Sequence, residues 1–343
     1  MRLRAGVLFV GGSMAAASGA WAHHGSAPHF FMDRDVEIEG TVRSFEARNP
    51  HSFVNVEVAE EGGAVVVWRC ELNSIASIRR AGIDESTFTP GARVRLTGHP
   101  ARHGEHECYF RTAEFADGRV VSQGQVPPTA LPQATAPAIE QTQIFGTWAR
   151  KVVAAGGVAG PGMMQFLTPA GRAASAAYDA YRDDPARHCS PVSPQRLWGN
   201  PVQPVEITRD GDLILLRFEF MDAVRTVHLN APAPPTNGPR TVLGSSSGRF
   251  EGETLVIETA HFAPGVVTQY AQTAPGEFAG VLHSDQYRLT ERLRFNEATG
   301  ELEVTWTHED PLYFTGAQSG GPATFVRRPD LRVAPYNCVP DPL

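Results

Sequence analysis

Histidine is concentrated in the first third of the chain, where it could bind a metal ion. Copper(II) binds nitrogen ligands more tightly than the other first-row divalent ions do, and imidazole suits it. If the chain is cleaved after Ala22, the new amine and the imidazole of His23 can chelate one copper ion, with His24 or His51 completing the site. An ordinary chain terminus next to a turn histidine is the alternative. Seven of the twelve histidines lie in this part: His23, His24, His29, His51, His99, His103 and His106.

A second group of histidines lies in the segment 98–108, where His99, His103 and His106 are four and three residues apart. A loop can bring such residues together, but the segment has no paired Cys-x-x-Cys pattern of a tetrahedral metal site. We interpret it as a solvated His-rich turn between two strands, with a metal site as the alternative.

Polar residues on apolar strands mark candidate ligand-binding positions in the second half. Within the segment 224–229, Arg225 shares a strand face with Val227, whereas His228 takes the opposite face. Arginine–carboxylate pairs across barrel strands are commonly structural, and this alternative stays open. The chain has no phosphate loop or dinucleotide fingerprint, and we interpret the serine-rich run at 245–248, within Gly-Ser-Ser-Ser-Gly, as a turn rather than as a nucleophile, so no reaction is predicted. The candidate ligand-binding residues are Trp148, Arg225, His228, Glu291 and Asp310.

The elements that position the first group of histidines are mostly strands. Alternating apolar and polar residues predict three strands, followed by a short helix that Asn73 can cap and by two further strands. This order is typical of an OB-fold, a small closed barrel. The predicted ranges are 36–45, 52–58 and 65–72 for the first strands, 74–81 for the helix, and 93–98 and 109–115 for the last strands.

The second part begins with one Ala-rich helix and continues almost entirely as strands. Thr168 and Pro169 predict the start of the helix, which we expect to run to about Arg182. About eight antiparallel strands then predict an up-and-down barrel around a cavity, and the Gly-x-Trp at 146–148 resembles a lipocalin motif. The predicted fold class is all-β: an OB-like small barrel followed by a larger antiparallel lipocalin-like barrel with one short helix.

The chain divides into four predicted segments. Residues 1–22 have two arginines, an apolar run and the small-x-small end Ala-Trp-Ala, which together indicate a signal peptide. A retained anchor is the alternative, but the apolar run is short. Residues 23–122 form the OB-like domain, residues 123–143 a Pro/Ala-rich linker, and residues 144–343 the lipocalin-like domain. We therefore expect a periplasmic or secreted protein with no membrane anchor after processing.

The net charge argues against nucleic acid as a partner. The chain has 30 Lys and Arg against 37 Asp and Glu, a formal charge of -7. Removal of the signal peptide takes away two arginines, which leaves 28 basic residues against 37 acidic ones and a charge of -9. An acidic surface repels the phosphate backbone.

The four cysteines are expected to form disulfides if the chain is exported, because an oxidising compartment favours them. Two lie in each half of the chain, so the simplest pairing is Cys70–Cys108 and Cys189–Cys338, one bridge in each domain. Free buried thiols are the alternative.

Several motifs give the chain a resemblance to a family of exported proteobacterial proteins of unknown function. In the first domain these are His-His at 23–24, Gly-Thr-Val at 40–42 and Asn-Pro-His at 49–51. The second domain resembles its companion type through the motifs at 167–171, 248–255, 309–311 and 335–338. The resemblance implies export and this domain pair, but it carries no activity.

The function expected from the sequence is that of a periplasmic binding protein. The second barrel would hold a small apolar molecule, and the first barrel would bind copper. An enzyme that acts on a hydrophobic metabolite in the second barrel and a scaffold that binds envelope proteins are the alternatives. An aromatic pocket without paired acid and base favours the carrier, whereas converging groups with shifted pKa values favour the enzyme.

Overall fold

The computed structural model describes residues 26–60, 62–123, 144–151, 163–199, 203–274 and 277–341. The predicted signal peptide, the histidines at 23 and 24 and the linker residues 124–143 lie outside the described residues. Among the helices that are described, none is long and apolar enough to cross a membrane.

The first domain is a closed five-stranded barrel with the predicted OB-like order. The sheet runs β3-β2-β1-β4-β5, and a parallel pairing of β3 with β5 closes it, while β6 extends β5 as a hairpin. Helix α1 lies between β3 and β4, and the Ser74 side chain caps it by accepting a hydrogen bond from the backbone of Ser77. The elements are β1 Val36–Glu46, β2 Ser52–Ala59, β3 Val65–Leu72, α1 Ile75–Arg80, β4 Arg93–Pro100, β5 Glu107–Phe115 and β6 Val120–Ser122.

The second domain is a larger closed barrel of nine strands in the order β10-β11-β12-β15-β16-β17-β7-β8-β9. A closed ring with an odd number of strands cannot be antiparallel throughout, and the parallel pair is β10 with β11. Strands β13 and β14 form a separate hairpin between β12 and β15. The strands are β7 Gly146–Arg150, β8 Val205–Asp210, β9 Leu213–Phe218, β10 Val224–Leu229, β11 Ser245–Glu251, β12 Thr254–Ala260, β13 Gly265–Ala274, β14 Glu277–His283, β15 Arg288–Asn296, β16 Glu301–Glu309 and β17 Gln318–Arg327.

The predicted all-β class with a small and a larger barrel is therefore confirmed, but the first helix of the second domain is shorter than expected. Helix α2 spans Pro169–Ala177 and is followed by α3, Pro194–Gly199. The reason is local: the Asp179 carboxylate accepts hydrogen bonds from the backbone of Tyr181 and Arg182, which favours a turn over another helical turn.

Side chains fill the interior of the larger barrel. Helix α3 carries Trp198 into it, where the indole donates to Glu291 of β15 and packs edge-on against Phe218 and Phe325 of two other strands. Because these strands are not neighbours, the indole lies inside the ring. The same buried cluster includes Trp148, Ile207, Leu216, Val227, Leu255, Ile257, Leu293 and Val304.

Both predicted disulfides are present. Cys70 and Cys108 are paired neighbours on β3 and β5, so their bridge crosses the parallel pair that closes the first barrel. The bridge from Cys189 to Cys338 joins residues separated by 149 positions in the second domain.

Candidate functional site between the barrels

A cleft with a cavity of about 210 Å³ lies where the two barrels meet. Its walls on the first barrel come from β2, β3, β5 and the β4–β5 loop, and segments after α2 in the second domain cover it. The strand 2–3 face and these loops are where OB-folds bind their ligands. The side chains that line the cavity include Phe53, Arg69, Glu71, His103 and Glu107 from the first barrel, and Tyr181 and Arg187 from the second domain.

Strand alternation explains why these polar residues share one face. Arg69 and Glu71 are two residues apart on β3, and Glu107 is the parallel partner of Arg69 on β5. Cys70, between Arg69 and Glu71, and Cys108, next to Glu107, point the opposite way into the core and are fully buried. The buried disulfide therefore holds together the two strands that present the polar face.

Four charged side chains form a buried cluster beside the cavity, which we call the charge cluster. His51 Nδ1 lies 2.6 Å from Asp341 Oδ2, and its Nε2 lies 3.9 Å from Glu71 Oε1. Arg187 completes the cluster: its Nη1 lies 3.8 Å from Glu71 Oε2, and its Nε lies 3.7 Å from Asp341 Oδ2. The Asp341 side chain is 0% exposed and that of Arg187 is 4% exposed. The cluster thus brings two basic and two acidic side chains together, with the two carboxylates and Arg187 almost fully buried and His51 partly exposed.

The surroundings raise the pKa values of His51 and Glu71 and lower the pKa of the neighbouring His29. Burial favours neutral His51, but the carboxylates of Glu71 and Asp341 outweigh it and raise the pKa of His51. Burial also raises the pKa of Glu71, against the influence of His51 and Arg187. Burial, assisted by the Arg187 guanidinium, lowers the pKa of His29 to about 3. The His29 imidazole is therefore uncharged at neutral pH, whereas the surroundings of His51 favour its protonated form.

Several buried polar atoms at the cleft lack a hydrogen-bond partner in the described part of the chain. They are Nδ1 of His29, Nε of Arg187 and Oδ1 of Asp341. Leaving a buried polar group unsatisfied costs about 1–3 kcal/mol, so native structures keep such groups few.

The Asn-Pro-His motif joins the first barrel to the C-terminal motif. The Asn49 side chain donates to the carbonyl of Tyr336, and the Asn49 carbonyl accepts from Val339 N at 2.7 Å. The same turn positions His51 against Asp341. Two motifs that lie far apart in the sequence therefore meet at one site.

The predicted ligand-binding residues of the larger barrel are placed in different surroundings. Arg225 and Glu291 form a bidentate pair inside the barrel, at 2.8 and 2.6 Å. His228 is exposed on the opposite strand face, as the alternation predicted. Trp148 is buried and donates to the carbonyl of Ile144, and Asp310 accepts from the backbone and hydroxyl of Ser284. Their proposed role in ligand binding stays a prediction.

Of the predicted metal ligands, only His51 lies among the described residues. In that part of the chain, no group of three or more His, Cys, Asp and Glu side chains could hold a metal ion. A copper site would therefore need ligands outside it.

Sequence reasoning missed Glu71, Tyr181, Arg187 and Asp341 as site residues. Glu71 carried a weak signal, because it is a carboxylate in an otherwise apolar strand end. Asp341 lies 290 positions from His51, and no spacing pattern links the two.

The fold and cleft define a class of all-β proteins in which an OB-like barrel turns the face of strands β2, β3 and β5 towards a second domain built on a nine-stranded barrel. Residues 12–110 match a family of unknown function (DUF6152). The matched segment includes His51 and Glu71 but neither Arg187 nor Asp341. No curated protein matches the chain.

Proposed function

We propose that the protein is an exported binding protein that holds a short saccharide in the cleft between its barrels. The observation that carries the proposal is the position of the polar cavity on the ligand face of the OB-like barrel. That face binds oligonucleotides or oligosaccharides in OB-folds. The net charge of -7 disfavours a polyanion, which leaves the saccharide.

The chemistry of the walls suits a sugar ring. The carboxylates of Glu71 and Glu107 accept hydrogen bonds from hydroxyl groups, and the guanidinium groups of Arg69 and Arg187 donate to them. The aromatic ring of Tyr181 offers an apolar surface for the C–H face of a sugar. The cavity of about 210 Å³ is smaller than the ~300–1,000 Å³ of typical ligand pockets, so we expect one ring to enter at a time.

Export is part of the proposal. The predicted signal peptide at 1–22 would direct the chain through the inner membrane, and the two disulfides are consistent with an oxidising compartment such as the periplasm. Saccharides of the cell envelope would be accessible there.

Calorimetric titration of the purified protein with N-acetylglucosamine, glucose and their short oligomers tests the proposal. We expect saturable binding, and we expect Glu71→Gln to weaken it about 10- to 100-fold, because a hydrogen bond to a charged group contributes ~1.5–3 kcal/mol. His228→Gln is the matched control, since His228 is exposed on the other barrel. No binding by the unmodified protein, or equal binding by Glu71→Gln, would refute the saccharide site.

Copper binding, which the histidines at 23, 24 and 51 predict, is a second candidate. The ligands would be the amine and imidazole of His23, with His24 and His51. Protein cleaved after Ala22 should bind one Cu(II) ion, and a form with one extra N-terminal residue should bind it weakly, because the amine is then a peptide nitrogen. Binding should weaken below the amine pKa of about 7.7–8.0.

His51→Ala should reduce the affinity for Cu(II), and His103→Ala should not. Equal Cu(II) affinity of the cleaved and extended forms would reject the site.

The apolar ligand expected in the larger barrel also stays a proposal. Saturable binding of a hydrophobic fluorescent probe would support it, although the side chains that fill the interior would have to move. The enzyme and the envelope scaffold remain alternatives, and the shifted pKa values in the charge cluster are of the kind found in enzyme sites.

A further inference from the structure

The last described residues, 336–341, cross from the larger barrel to the first one, and we call them the C-terminal strap. At one end Tyr336 N donates to Asp222 Oδ1 at 2.8 Å within the second domain. At the other end Arg48 Nη1 donates to the carbonyl of Pro340 at 3.2 Å, and Asp341 contacts His51. The strap thus places Asp341 in the charge cluster.

A disulfide bond joins the strap to the segment that contains Arg187, the other member of the charge cluster from the second domain. Cys338 lies in the strap and is bonded to Cys189, which follows Arg187 by two residues. Asp341 N also donates to the Arg187 carbonyl at 2.8 Å. Both second-domain members of the charge cluster, Arg187 and Asp341, are therefore held in place through the Cys189–Cys338 bridge.

The two disulfides differ in their access to solvent. Cys70 and Cys108 are both 0% exposed within the core of the first barrel. Cys189 and Cys338 are both partly exposed. Thiol–disulfide exchange requires access of the attacking thiolate to a sulfur atom, so the second bridge is the more accessible of the two to a reductant.

We propose that Cys189–Cys338 is a redox latch beside the cleft: its reduction releases the C-terminal strap and removes Asp341 from His51 and Arg187, which disrupts the charge cluster next to the cavity and weakens the ligand site. The effect on ligand rests on the proposed saccharide function, but the release of the strap does not. The reductant is a dithiol, either a small molecule or an oxidoreductase of the same compartment.

The exchange balances without another reactant. A thiolate of the dithiol attacks one sulfur of the bridge, forms a mixed disulfide and expels the other sulfur as a thiolate. The second thiol of the reductant then attacks the mixed disulfide and releases the remaining cysteine. The protein gains two electrons and two protons, and the dithiol becomes a disulfide.

The opening is local because other contacts between the barrels do not depend on the strap. Arg80 Nη2 lies 2.8 and 3.0 Å from the two carboxylate oxygens of Glu219. The Gln203 side chain donates to the hydroxyls of Ser74 and Ser77 at 3.0 and 3.1 Å. The barrels therefore stay docked on the α1 side while the charge cluster beside the cavity loses Asp341.

Graded reduction of the full chain with dithiothreitol tests the latch. Free thiols are trapped with iodoacetamide and located by peptide mass spectrometry, and hydrogen exchange is followed over 336–341. We expect Cys189 and Cys338 to be alkylated about tenfold faster than Cys70 and Cys108, together with faster exchange in the strap. Reduction of Cys70–Cys108 first, or unchanged strap exchange after reduction of Cys189–Cys338, would overturn the proposal.

A double variant separates the latch from the proposed function. Cys189→Ser with Cys338→Ser should show the fast strap exchange without reductant, and dithiothreitol should not increase it further. If the oxidised protein binds N-acetylglucosamine oligomers and the double variant binds them equally well, regulation by the latch is wrong and the saccharide function stands. If neither binds but the strap is released, the saccharide function fails and strap release stands.

Discussion

At the residue scale, the buried pair of Arg225 and Glu291 is the clearest structural feature of the larger barrel. Glu291 is 0% exposed and accepts from Arg225 and, at 2.6 Å, from the indole of Trp198. Arg225 also donates to the Thr259 hydroxyl at 3.1 Å. The carboxylate is thus satisfied within the barrel, which favours the structural alternative noted for this pair in the sequence.

Removing one partner of this pair should be costly. Arg225→Met leaves the Glu291 carboxylate buried without a cation, so we expect the free energy of unfolding to fall by about 3–5 kcal/mol. Urea unfolding measures the change. The double variant Arg225→Met with Glu291→Leu should recover most of the loss, because an apolar pair needs no desolvated charge. A loss below about 1 kcal/mol for the single variant would mean that Glu291 reaches solvent.

At the element scale, helix α2 is docked closely on the loop that follows β16. Thr168 N donates to the carbonyl of Tyr313 at 2.9 Å, and the Ser175 hydroxyl donates to the carbonyl of Gly280 on β14 at 2.5 Å. A Cβ on Gly171 would lie only 2.4 Å from the Tyr313 carbonyl oxygen. The absence of a side chain there permits the close approach of helix and loop.

Gly171→Ala should therefore destabilise the protein although alanine favours helix by about 1 kcal/mol. The backbone of helix or loop must shift, and we expect a net loss of about 1–3 kcal/mol in thermal or urea unfolding. Gly199→Ala is the control at the end of α3, where the nearest atom to the added Cβ is an Arg150 side-chain nitrogen at 3.9 Å. A stabilised Gly171→Ala variant would show that α2 is not docked in this way.

At the scale of the whole molecule, each domain buries a histidine in its neutral form. Burial lowers the pKa of His29 to about 3 and the pKa of His308 to about 4, the latter with a contribution from His283. Both nitrogens of His308 lack hydrogen-bond partners among the described residues. In the unfolded chain both pKa values return to about 6.5, so the unfolded state binds more protons below that pH.

The free energy of unfolding should therefore decrease as the pH falls from about 6.5 towards 4. By pH 4.5, His29 and His308 should each account for about 2 kcal/mol of this decrease. His51, whose pKa is raised, acts in the opposite direction: its contribution is complete below about 6.5 and is lost as the pH rises through its folded value. Urea unfolding at several pH values measures the slope. His308→Phe should flatten it by about 2 kcal/mol over this range, whereas exposed His228→Gln should not. An unchanged slope in His308→Phe would contradict a buried neutral imidazole.

Local patterns in the sequence were sufficient for much of the fold. Alternation with period two predicted the strands and the opposite faces of Arg225 and His228, because adjacent side chains of a strand always point to opposite sides. The order of elements predicted the OB-like barrel, and the division of cysteines predicted both bridges. These features depend on residues close in sequence or on counts, which the sequence by itself determined.

Only the tertiary structure decided the candidate site and the interior of the larger barrel. His51 and Asp341 meet across 290 positions, and Trp198 enters the barrel from a short helix, because these contacts depend on how separate elements pack against one another. The parallel pair of β10 and β11 follows from closure of a nine-stranded ring, which no single strand encodes. Local periodicity determines which face of an element is buried, but it contains no information about which distant element covers that face.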